Sequence, residues 1–115
     1  MNRVGLLHQA ATALFMASDD YVHAVGHMFM TLDESLLPGT DAKERALHET
    51  STTVKTLVPI ETALLCDDFV EISLKIPRDP TDGFEDDDAE RMNTVRLALV
   101  SDFNDIIRKA DAETK

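Results

Sequence analysis

The chain has 115 residues (12.8 kDa), with 22 Asp and Glu against 11 Lys and Arg, a formal net charge of −11 and a pI near 4.5. That length is one domain, and 43% hydrophobic residues with only four Gly and four Pro exclude a disordered or fibrous chain. One Cys excludes a disulfide framework and a Cys-based zinc site, and the negative charge excludes both nucleic acid and anionic lipid as direct partners.

At about 100° per residue, Val4, Leu7, Ala11, Leu14 and Phe15 share one arc of a first helix. Leu6, Ala10, Ala13 and Ala17 cover a second arc, leaving Gly5, His8, Gln9 and Thr12 as a thin polar strip. Those polar residues break up what would otherwise resemble a secretory signal, so the segment reads as structural and the protein as cytoplasmic. No apolar run reaches the roughly 18 residues of a membrane span. A helix apolar nearly all round is central in a bundle or covered by another subunit. Residues 3–17 are therefore the expected contact of a homodimer. Ser18, Asp19 and Asp20 then supply N-cap chemistry for a second helix. Its stripe is Tyr21, Val22, Val25, Met28, Phe29, Leu32 and Leu36, and Pro38-Gly39 is its expected stop.

A third segment opens at Asp41, with Ala42, Ala46, Leu47, Val54 and Leu57 in one arc. The run Thr50-Ser51-Thr52-Thr53 weakens it, because short hydroxyl side chains compete for the backbone. Pro59 suits the start of another helix, from which Leu65, Cys66, Phe69, Val70, Ile72 and Ile76 gather on one side. Glu61, Asp68, Glu71 and Lys75 gather on the other. Val70–Ile76 also alternates like a half-buried strand, which gives an α+β alternative, but the helical pattern covers more residues. The stretch Pro77–Asp88 mixes turn residues with acids. A last helix starts among Asp86, Asp87 and Asp88 and runs to about Ala112, along the seam Met92, Val95, Leu99, Phe103, Ile106 and Ala110. The expected fold is an all-α, single-domain bundle of four or five helices.

Chemistry is sparse along this frame. His23 and His27 lie one helical turn apart, with Glu34 further along the same arc, a spacing that could hold a metal. A zinc protease would need Glu directly after the first His, where Ala24 stands, and the pair faces away from the apolar stripe. It reads as an exposed His pair with no metal bound; a small metal-dependent enzyme or sensor using His23, His27 and Glu34 is the alternative. Asp79-x-x-Asp82-Gly83 lacks the ligand pattern of an EF-hand, since Pro80 and Thr81 intervene. Cys66, amid apolar residues and followed by Asp67 and Asp68, reads as a core thiol and not a nucleophile. No nucleophile elbow or phosphate-binding Gly loop is present, so neither catalytic residues nor a cofactor are expected.

Two features point to a protein partner. Arg96 projects from the apolar arc of the last helix and must be paired, snorkel out or meet another chain. Asp79, Asp82, Glu85, Asp86, Asp87, Asp88 and Glu90 concentrate negative potential around Phe84, a combination that would steer and anchor a basic surface. In size, acidity and helical cast the chain resembles the small phage-encoded inhibitors of the anti-CRISPR kind, a likeness to a class with no shared motif. The resemblance implies a direct inhibitor that blocks a nucleic-acid-binding or nuclease component of a bacterial host complex. Asp82, Phe84, Glu85, Asp86, Asp87 and Asp88, with Arg96, are the expected carriers. A dimeric regulatory or assembly protein is a further alternative.

Overall fold

The computed structural model describes residues 3–31, 34–75 and 86–113. Its first helix, α1 (Arg3–Thr31), runs unbroken for 29 residues. The break expected at Ser18-Asp19-Asp20 is absent, and burial explains why. Ser18 is fully buried and its hydroxyl lies 2.9 Å from that of Ser73, so its polar side chain is a core contact instead of a cap. The buried positions Leu7, Ala11, Leu14, Ser18, Tyr21 and Val25 advance by four and three through the junction without a gap.

A single 3-10 turn at Glu34–Leu36 leads into α2 (Leu37–Lys55). Pro38 therefore opens a helix instead of ending one; in the first turn its missing N–H leaves no bond unmade. The threonine run does not loosen α2. Thr50, Thr52 and Thr53 donate their hydroxyls to the carbonyls of Ala46, His48 and Glu49, four residues back, so the competition stays inside the helix. Pro59 precedes α3 (Ile60–Lys75), and its carbonyl accepts the first helical bond from the Ala63 N–H at 3.0 Å. Phe69, Val70, Ile72 and Ser73 are all buried while Glu71 is exposed. That pattern belongs to a helix; a strand would alternate. Among the described residues there is no strand, and Ile76 lies outside them. The last helix, α4 (Asp86–Glu113), buries Leu99 and Phe103 and packs Met92, Val95 and Ile106 against them.

The four helices run up, down, up and down, each antiparallel to the next. Polar contacts mark the seams: Lys43 with Asp20 between α1 and α2, Lys55 with Asp67 between α2 and α3, Thr62 with Asp102 between α3 and α4, and Arg96 with Asp19 between α4 and α1. Across the diagonal, Phe15 of α1 meets Phe69 of α3 edge to face at 5.5 Å, and the same ring meets Phe103 at 6.1 Å. Leu14, Leu47, Val54, Cys66 and Leu99 fill the space around them. With extents of 55 × 29 × 17 Å the molecule is two helix layers thick. Its radius of gyration of 15.7 Å exceeds the about 13 Å of a compact domain this long, because α1 alone spans about 43 Å. No described helix is long and apolar enough to cross a membrane.

Candidate functional site

The most distinctive described surface is the outer face of α3. Thr62, Cys66, Phe69, Val70 and Ser73 bind this helix to the core, which turns Glu61, Leu64, Asp68 and Glu71 outward at steps of three and four. The helix carries four carboxylates, with Asp67, against one lysine, Lys75. Asp67 is engaged by Lys55 Nζ at 2.8 Å. Two large apolar side chains stand among these charges: Ile60 is 68% and Leu64 58% exposed. An apolar tip ringed by carboxylates is the chemistry of an anchor for a cationic protein surface. The sequence pattern located the acids at 61, 68 and 71; Leu64 falls inside their arc, the one signal that could have placed an apolar residue on this face.

Of the acids first singled out, Asp79, Asp82 and Glu85, with Phe84, lie outside the described residues. Asp86, Asp87 and Asp88 open α4, as the sequence pattern places them. Because α3 and α4 are antiparallel, α4 begins at the end of the molecule where α3 finishes.

Arg96 is engaged within the molecule. Its Nη1 is 3.4 Å from Asp19 Oδ1 and its guanidinium lies 5.1 Å above the Phe15 ring centroid, with the side chain 39% exposed. A cation on an apolar arc is thus accommodated by an aromatic face on one side and a carboxylate on the other.

His23 and His27 are both exposed on α1, whereas Glu34 belongs to the 3-10 turn beyond the end of that helix, so the three do not share one helix face. Among the described residues no three His, Cys, Asp or Glu side chains are placed to hold a metal ion. Cys66 is fully buried; burial first, then the charges of Asp67 and Asp102, push its thiol up to about 11 against the opposing pull of Lys55. It is protonated at neutral pH and inert as a nucleophile. On the helix expected to form a dimer contact, Leu6 and Met16 are 43% and 61% exposed.

Comparison with protein-family models, with curated proteins and with solved structures finds no match for this chain.

Proposed function

We propose that this protein is a non-catalytic interaction module, a small acidic inhibitor of the anti-CRISPR kind that docks on a basic, nucleic-acid-binding or nuclease surface of a host complex. The observation that carries this reading is the α3 face, where Ile60 and Leu64 are exposed among Glu61, Asp68 and Glu71. An apolar side chain held in water on a rigid helix contributes affinity once a partner covers it. The flanking carboxylates supply steering and reject an acidic partner. The acid run around Phe84 in the sequence adds charge of the same sign, with Asp82, Glu85, Asp86, Asp87 and Asp88 as further contacts.

The test is capture from a bacterial lysate at low and at moderate salt, followed by mass spectrometry. The expected result is a basic nucleic-acid-binding protein that is retained at low salt, released at moderate salt and displaced from its nucleic acid by this chain. Retention that ignores salt, and that survives neutralisation of both Glu61/Asp68/Glu71 and Asp82/Glu85/Asp86/Asp87/Asp88, would overturn the proposal. The exposed Leu6 and Met16 favour one addition, a homodimer through the helix at residues 3–17; light scattering measures it directly.

A further inference from the structure

Where α1 begins and α4 finishes, the seam between them opens into a hollow of about 380 Å³. Its floor is Leu7, and its walls include Val4, Leu57, Val58 and Ile106. Among the described residues of the lining, Lys109 is the charged one. A second hollow of about 160 Å³ adjoins it on the same seam; it shares Leu7 and Ile107 with the first, passes Val100 to reach Phe15, and carries His8, Thr12 and Asn104 on its lining. The Arg96 guanidinium lies over that Phe15 ring. From Val4 to Phe15 the helix rises about 16 Å, and the two hollows adjoin at Leu7 and Ile107 as one largely apolar slot along this seam, with a lysine at its mouth.

Small-molecule sites are concave, roughly 300–1,000 Å³ in volume, and apolar with a few polar groups that orient the ligand. The first hollow alone meets that description. A lysine beside apolar surface lays its methylene stem along the wall and holds its ammonium at the rim. Lys109 is exposed on α4, one helical turn after Asp105. A cation at the mouth of an apolar slot complements an anion that trails an apolar chain.

We propose that this slot binds a linear amphiphilic carboxylate of medium chain length, its hydrocarbon along Leu7, Ile107 and Phe15 and its carboxylate at Lys109. This site is independent of the acidic face of α3. The experiment titrates the full chain by calorimetry with decanoate and, as the uncharged counterpart, decanol. Saturable binding of one equivalent of decanoate is expected. Lys109→Met should weaken decanoate about fivefold, the scale of one partly exposed ion pair, and leave decanol unchanged. Val100→Glu, at the exposed rim, should weaken both ligands. The triple variant Glu61→Gln/Asp68→Asn/Glu71→Gln should bind decanoate as the parent does, which separates this site from the proposed docking face. Uptake of many equivalents without saturation, equal decanoate affinity in Lys109→Met, or a dimer that excludes decanoate from the slot would each overturn the proposal.

Discussion

The hydroxyls of Ser18 and Ser73 lie 2.9 Å apart with both residues fully buried, and Ser73 also donates to the Phe69 carbonyl at 2.8 Å. This contact, between residues 55 positions apart in the chain, fixes the register of α1 against α3. Ser73→Ala strands the Ser18 hydroxyl in the core and should cost about 1–2 kcal/mol in urea unfolding. Ser18→Ala/Ser73→Ala should cost less than the two single changes together, because neither orphan then remains. Additive losses would show that the two groups do not act on each other.

The continuity of α1 makes a second prediction. Asp19→Pro would be tolerated in the first turn of a separate helix, but inside α1 it removes a backbone bond and should cost about 3 kcal/mol or more. Gly26, also within α1, has nothing within 4 Å of where a Cβ would stand. Gly26→Ala should therefore stabilise the fold by about 0.5–1 kcal/mol. Thermal unfolding followed by circular dichroism measures both.

These residues also show how far the fold is legible without coordinates. The class, the start of α3 after Pro59 and the seam of α4 follow from periodicity and cap chemistry, which are local. Ser18-Asp19-Asp20 looks like a cap because the same hydroxyl serves a cap or a distant partner, and Ser73 is invisible to a window of neighbours. Pro38 is ambiguous for a related reason, since proline stops one helix and opens the next with the same geometry. Leu64 lies within the arc of Glu61, Asp68 and Glu71, which marks its face in the sequence, but how far Ile60 and Leu64 stand exposed depends on which side of α3 the other helices cover.

Arg96 should contribute modestly through its two contacts. Arg96→Met retains the stem over Phe15 but removes the guanidinium from the ring and from Asp19, for a loss of about 1 kcal/mol. Added salt should shrink the Asp19 share of that difference and leave the ring share. A loss indifferent to Asp19→Asn in a double-mutant cycle would assign the whole effect to Phe15.

Cys66 titrates near 11, above its ordinary 9.0. The folded state thus keeps its proton where the unfolded chain has lost it, so the contribution to stability is complete below about 9 and declines as pH rises toward 11. Cys66→Ala should flatten this part of the alkaline decline while costing about 1–2 kcal/mol for the lost packing at neutral pH. At pH 8 a thiol-labelling reagent should react with the native protein about ninetyfold more slowly than with the urea-unfolded chain, from the smaller thiolate fraction alone.

The outward face of α3 should prove dispensable for folding. Leu64→Ala and the triple Glu61→Gln/Asp68→Asn/Glu71→Gln should each shift unfolding free energy by no more than about 0.5 kcal/mol. Capture of the basic partner should fall in both variants, with the salt dependence reduced only in the second.

The length of α4 keeps events at its two ends apart. Its backbone rises about 34 Å between Asp86 and Lys109, some four screening lengths at physiological ionic strength. A protein seated on the Asp86 turn and a carboxylate held at Lys109 are too distant to repel or recruit each other through their charges. Simultaneous occupancy should be additive, with each affinity indifferent to whether the opposite end is filled.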